Sequence, residues 1–152
     1  MLNFVMYVSD VCAPMAQDNE QMVQGLIDIE RTAKQRNRHL NITGVLLVDG
    51  GHFIQLLEGY REDLDTLLAS ISRDARHTNV SILMDEPISK RAFGEWNMDI
   101  FTLDVKPELK SEDLHRFRDC YLANEKPNAL EVANWVRRLI KHPEIRFGEV
   151  SA

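Results

Sequence analysis

Two apolar runs flank a glycine turn near the middle of the chain: Val45-Leu46-Leu47-Val48, then Asp49-Gly50-Gly51, then Phe53-Ile54-Gln55-Leu56-Leu57. Strand-length apolar segments on either side of such a turn specify a β-hairpin. A strand apolar on both faces must be covered on both faces, so the chain has to supply a layer on each side of a sheet. Gln55 is the exception inside the hairpin, because every neighbour in its run is apolar. Burying its amide without partners costs about 1–3 kcal/mol. Nothing else in the run can serve it, so the partner must come from across the core or from a ligand.

The remaining pattern supplies those layers. Leu2 to Val8 is an apolar run of strand length ending at Ser9-Asp10 and a loop with Pro14. Asp18 or Asn19 can cap a helix whose inward stripe is Met22, Leu26, Ile29 and Ala33. One turn further, the same stripe lands on Arg36 and Asn37 before reaching Leu40, so polar groups stand where core residues are expected. Gly59 ends the hairpin, and Leu64, Leu67, Leu68 and Ile71 mark a second helix with Asp74 near the edge of its apolar face.

Val80 to Met84 reads as a strand before Pro87. The period-two run from Trp96 to Ile100 places Trp96, Met98 and Ile100 on one face of a last strand. The order β-α-β-β-α-β-β predicts an α+β, ferredoxin-like fold: a five-stranded mixed sheet with two helices on one face. Ser111 can cap a further helix bearing Leu114, Phe117, Cys120 and Tyr121. Pro127-Asn128 opens another bearing Leu130, Ala133, Val136 and Ile140. This C-terminal helical hairpin cannot bury its stripes alone and is expected on the other face of the sheet. The expected division is residues 1–103, a two-helix extension over 104–142, and a polar, flexible tail over 143–152.

Composition excludes several classes. The chain has 152 residues and a formal charge of −6, which disfavours a nucleic-acid or anionic-membrane surface. No apolar run approaches the roughly 20 residues needed to span a bilayer, and the start lacks a signal-peptide pattern. The two cysteines, Cys12 and Cys120, form no CxxC motif, and the five histidines have no metal-ligand spacing. A cytoplasmic protein with reduced thiols and no metal is expected.

In a ferredoxin-like sheet the first and third strands are central neighbours, which brings Tyr7 within reach of Gln55. Arg36 and Asn37 close the first helix. Amides present adjacent donors and acceptors that suit a ligand with neighbouring carbonyl and imide groups. Each residue also has an ordinary reading: Tyr7, Trp96 and Met98 as core, Asn37 as a helix C-terminal residue, Gln55 satisfied by backbone.

The ordered motifs carry a resemblance. Tyr7-Val8-Ser9, N-x5-T-G-V-L-L from Asn37, F-I-Q-L-L-E-G from Phe53, R-D-x-R-H from Arg73 and R-x-F-x-x-W-x-M from Arg91 together span about residues 2–101. In these the chain resembles the BLUF domains, blue-light sensors that hold a flavin, usually FAD, non-covalently. The resemblance implies that Tyr7 gives an electron and a proton to the photoexcited flavin. It implies that Gln55, between Tyr7 and the ring, rearranges its amide. Asn37 and Arg36 would hold the ring edge and the ribityl side, Ile29 and Phe53 would sandwich the ring, and Asp74 would approach the ribityl chain. Ser9 would neighbour Tyr7, and Trp96 and Met98 would relay the signal. Where several family members carry a basic residue for the cofactor phosphates, this chain has Ser70. The choice among FAD, FMN and riboflavin therefore stays open.

The expected protein is a stand-alone photoreceptor, not an enzyme, that signals to an effector protein and forms a dimer or larger homo-oligomer. Two alternatives remain from the residues: a small phosphate hydrolase using Arg36 and Asn37, and a cofactor-free interaction domain whose inward polar groups satisfy one another.

Overall fold

The structure is a computed structural model and describes residues 1–13, 15–103, 112–122 and 127–147. The elements run β1 (Leu2–Val11), α1 (Asn19–His39), β2 (Thr43–Asp49), β3 (His52–Tyr60), α2 (Arg61–Ser72), β4 (His77–Pro87), β5 (Asn97–Thr102), α3 (Glu112–Leu122) and α4 (Ala129–Leu139). The sheet order is β4-β1-β3-β2-β5, with β2 and β5 parallel and the other neighbours antiparallel. This is the expected ferredoxin-like arrangement with a fifth strand added beside β2.

Local chemistry sets the boundaries. Gly50 and Gly51 both take positive φ, 57° and 83°, which the tight β2–β3 turn requires. Asp18 caps α1 by accepting from the Glu20 amide at 2.9 Å. At the other end Asn41 takes φ 55° and the Ile42 amide returns to the Asn37 carbonyl, which stops the helix. Asn128 and Glu131 form a reciprocal capping box at the start of α4. The expected Ser111 cap lies outside the described residues.

Strand alternation divides the core into two layers. Phe4, Met6, Val45, Leu47, Ile54 and Leu56 meet Leu114, Phe117, Val132, Val136 and Leu139 of α3 and α4 on one face. Val5, Tyr7, Leu46, Phe53 and Leu57 meet Leu26 and Ala33 of α1 and Leu64, Leu67 and Ile71 of α2 on the other. Arg118 anchors α3 to β2 through both oxygens of Asp49 at 2.8 Å. No described helix is long and apolar enough to cross a membrane.

Two expectations need correction. Trp96, Met98 and Ile100 do not share a face. Gly44 pairs with Asn97 but Val45 with Asp99, so Met98 is an extra residue in a bulge and takes φ 74°. The bulge sends Met98 toward α1 and α2 with Ile100, while Trp96 packs edge-on against Phe101 on the α3–α4 face. The other correction concerns the tail, which over 143–147 is docked instead of free. Pro143–Ile145 forms a 3-10 turn, Ile145 is fully buried, and the Phe147 amide donates to the Ile100 carbonyl at 2.8 Å.

Candidate functional site

Sheet register places the central pair. Tyr7 on β1 stands directly opposite Gln55 on β3, and Gln55 is opposite Leu46 on β2. The Tyr7 hydroxyl donates to Gln55 Oε1. Burial, the largest influence, pushes the Tyr7 phenol well above the ordinary tyrosine value; nearby Arg36 opposes this and Asp74 reinforces it. The phenol therefore stays protonated and acts as donor, which orients the Gln55 carbonyl toward it. The amide nitrogen then faces Met98 and donates to its sulfur at 2.9 Å. A thioether is a weak acceptor, so this half of the amide is poorly satisfied.

In front of this pair lies a narrow, solvent-open cleft with a cavity volume of about 40 Å³, between α1, α2 and the sheet, lined by Tyr7, Ile29, Arg36, Phe53, Gln55 and Asp74 among others. Ile29 from α1 and Phe53 from β3 supply apolar walls. Ala33 leaves room where a larger side chain on the α1 stripe would fill the space. Asn37 follows one turn beyond Ala33 and is fully buried, yet neither atom of its amide has a partner among the described residues. Arg36 Nε is likewise unpartnered, while its Nη1 donates to Ser70 Oγ at 3.1 Å. Burial pulls the Arg36 guanidinium below the ordinary arginine range, against the opposing effects of Tyr7 and Asp74.

Orphaned polar atoms at this depth each cost about 1–3 kcal/mol. Arg36 lines the cleft and Asn37 stands next to it in the chain, just outside the lining, so a group that fills the cleft and reaches past Arg36 would satisfy both. An amide without partners needs a neighbouring acceptor and donor, and an adjacent unpartnered N–H needs a further acceptor. The carbonyl and imide edge of a flavin offers that set, so the residues present fit it. The same observation disfavours an interaction domain whose inward polar groups satisfy one another.

Of the other expected residues, Asp74 lines the cleft, whereas Ser9, Asn37, Trp96 and Met98 do not. Ser9 is buried behind Tyr7 and hydrogen-bonds His77 Nδ1 at 2.7 Å. His77 Nε2 faces the Ile71 carbonyl at 2.9 Å, so it carries the proton and Nδ1 accepts from Ser9. Asp74 lines the cleft but is gripped by Arg76, whose Nε and Nη2 reach its two oxygens at 2.9 and 2.6 Å. Burial raises the Asp74 carboxyl, but the side-chain and backbone bonds from Arg76 outweigh it and leave the pKa below the usual range. Met98 backs Gln55, whereas Trp96 is on the far face of the sheet.

Sequence reasoning gave no role to Thr32, Ala33, Leu46, Ile71, Arg76 or His77, all of which line the cleft. One signal was available. Ala33 is a small residue inside a stripe of large ones, the mark of space kept open.

Behind the sheet's other face a clasp holds the segment between β4 and β5. Glu58, fully buried, accepts from the Ala92 and Phe93 amides at 2.6 and 2.9 Å and from the Thr43 hydroxyl at 3.2 Å. Arg91 donates to the Glu58 carbonyl and to the Asn41 carbonyl, both at 2.9 Å. Glu58 and Arg91 thus fix the approach to Trp96 and Met98.

Comparison with known proteins agrees with this geometry. Residues 2–99 match the family described as BLUF, sensors of blue-light using FAD. A photoactivated adenylate cyclase subunit beta from Euglena longa is 34% identical over 113 residues, 72% of this chain and 13% of the relative. The blue light- and temperature-regulated antirepressor BluF of Escherichia coli is 34% identical over 85 residues, 56% of this chain and 21% of the relative. The chain therefore spans well under two thirds of these relatives. Among solved structures, the dark state of the BLUF protein BlrB aligns with TM-score 0.69 at 32% identity, covering 91% of this chain and 94% of that one. The photo-activated state of BlsA aligns with TM-score 0.69 at 25% identity, covering 92% and 95%. The chain belongs to the BLUF family of flavin-based blue-light sensors.

Proposed function

We propose that this chain is a non-enzymatic blue-light photoreceptor that binds FAD in the cleft between α1 and α2 and signals through a protein contact. The observation that carries the reading is Asn37, a fully buried amide with no partner among the described residues, on the same side of the sheet as a Tyr7–Gln55 hydrogen bond. Asn37 and Arg36 would hold the ring edge, and Ile29 and Phe53 would pack on the ring. Arg36 Nε and the Asp74–Arg76 pair stand on the ribityl and phosphate side. FMN and riboflavin are the competing ligands, because the position that could add a phosphate-binding cation is Ser70, spent on Arg36.

When bound, a flavin supplies blue-light absorption and one-electron chemistry. Tyr7 is the redox-capable side chain aimed into the cleft, and oxidation of its phenol releases a proton along the existing bond to Gln55 Oε1. Gln55 then loses the donor that orients it. Reversing its amide exchanges donor for acceptor and gives up the weak bond to Met98. Met98 sits at positive φ in a bulge, a sparsely populated backbone region, and its side chain is fully buried. Release of Met98 biases β5, and through β5 the Glu58–Arg91 clasp, Trp96 and the α3–α4 layer.

The protein would work in the cytoplasm, where the thiols of Cys12 and Cys120 stay reduced, and as a homo-oligomer, with a dimer the default. Residues 1–103 would be the sensor and 104–142 an output extension. Variants of flavin-loaded protein test the relay. Tyr7→Phe is expected to keep the yellow colour and lose the photocycle, and unchanged photochemistry would remove Tyr7 from this role. Gln55→Leu is expected to abolish the light-induced spectral shift, and a full shift in that variant would sink the relay.

A further inference from the structure

β5 lies at the end of the sheet, and its outer edge is covered by the chain's own residues 145–147. Arg146 pairs antiparallel with Phe101, the Phe147 amide donates to the Ile100 carbonyl at 2.8 Å, and the Thr102 hydroxyl donates to the Ile145 carbonyl at 3.3 Å. Only Arg146 and Phe147 run along this edge, because Ile145 is the last residue of the 3-10 turn Pro143–Ile145. Ile145 enters the core beneath α3 and α4, while Phe147 packs with the layer on the α1–α2 face. Between them Arg146 reaches Asp99 Oδ2 at 3.1 Å, and its guanidinium lies 5.3 Å over the Trp96 ring. Asp99 is nearly buried and also accepts from Lys34, so a cation opposite it is favoured.

We propose that the outer edge of β5 is a strand-accepting surface, filled in cis by Arg146-Phe147, with Ile145 seated from the turn just before them. The partner it fits is a protein segment that leaves a turn carrying an apolar residue and then sets a basic and an aromatic residue along the edge. Sheet edges recruit strands through main-chain bonds, with alternate side chains giving specificity. Here the specificity is written by the occupant: one pocket on each face and an acidic residue between them. The cis strap follows directly on the 3-10 turn that starts at Pro143, so among the described residues only Arg146 and Phe147 meet the β5 backbone as a strand would. Asp99 and Ile100, which hold the strap, directly follow Met98. Coupling of strap release to light rests on the photoreceptor reading, whereas strand exchange itself does not.

The test uses the full chain and a fluorescent peptide of its own sequence from Lys141 to Phe147. In a chain carrying Arg146→Ala and Phe147→Ala the peptide is expected to bind at least tenfold more tightly than to the unaltered chain. A peptide with Glu in place of its Arg is expected to fail. Absence of peptide binding to the folded double variant, or equal binding of the Glu peptide, would overturn the proposal. Should the double variant not fold, amide exchange on the unaltered chain decides. The Phe147 amide is expected to exchange at least 100-fold faster than Leu47 and Leu56, and exchange only by global unfolding would overturn the proposal. With flavin bound, blue light should tighten peptide binding. A normal spectral shift with unchanged peptide affinity refutes the coupling, and a missing spectral shift indicts the photoreceptor reading instead.

Discussion

Replacing Asn37 with Leu should move stability and cofactor affinity in opposite directions. Asn37 is fully buried and its Nδ2 and Oδ1 find no partner among the described residues. Leu has the same branched shape, with bulkier methyl groups, and no polar atoms, so the cofactor-free variant escapes a desolvation penalty of about 1–3 kcal/mol. The better helix propensity of Leu adds roughly 0.5 kcal/mol, which sets the gain expected from propensity alone. In a domain of this size each kcal/mol raises Tm by about 2–4 °C, so cofactor-free Asn37→Leu should melt roughly 3–12 °C higher. Flavin binding loses the hydrogen bonds that the amide would make, about 1–3 kcal/mol, or roughly 5–150-fold in Kd. Thermal denaturation of flavin-free protein and fluorescence titration with flavin measure the two sides. A variant that gains no more than the propensity difference, or that binds flavin as tightly as before, would refute the assignment of Asn37 as a ligand-facing amide.

Gly44 should tolerate no side chain, since it takes φ 151° and an added Cβ would lie 1.9 Å from the Leu56 carbonyl oxygen. Gly44→Ala is expected to cost roughly 2–6 kcal/mol in denaturant unfolding, and a loss under about 1 kcal/mol would mean that the β2–β3 approach is looser than described. Glu58 should give a measurable pH slope. Burial, the largest influence, holds its carboxyl above the ordinary glutamate value despite the bonds from Ala92, Phe93 and Thr43 and the charge of Arg91. A folded pKa above the unfolded one contributes stability below the unfolded value that is lost as pH rises through the folded value. The stability of the native chain relative to Glu58→Gln should therefore fall as pH rises from the ordinary glutamate range through the raised folded value, and a parallel pair of curves would contradict it.

The layers of this fold are legible because they follow from periodicity. The glycine turn fixes the hairpin, the α1 stripe fixes which face carries Ala33 and Asn37, and the pairing of Tyr7 with Gln55 follows from strand order. The face of Trp96 was not legible, because one inserted residue at Met98 reverses everything before it, and a bulge leaves no mark in an alternating pattern. Ile145 and Phe147 were missed for a related reason. Two apolar residues flanking an arginine are too short a run to show a period, and only the edge of β5 gives Arg146 and Phe147 a strand's partners while Ile145 enters the core from a 3-10 turn. Arg76 and His77 sit in a quoted motif, but their places at the cleft depend on how β4 leaves α2, which spacing does not encode. The chemistry of the central pair was legible from polarity alone, since Gln55 was the polar exception in an apolar strand.

The most direct test of the account is the absorption spectrum of the flavin-loaded chain before and after blue light. The account predicts flavin bands in the dark, a shift of those bands on illumination as the Gln55 hydrogen bonds rearrange, and return of the original spectrum in darkness. A loaded chain whose bands stay fixed under blue light would contradict it.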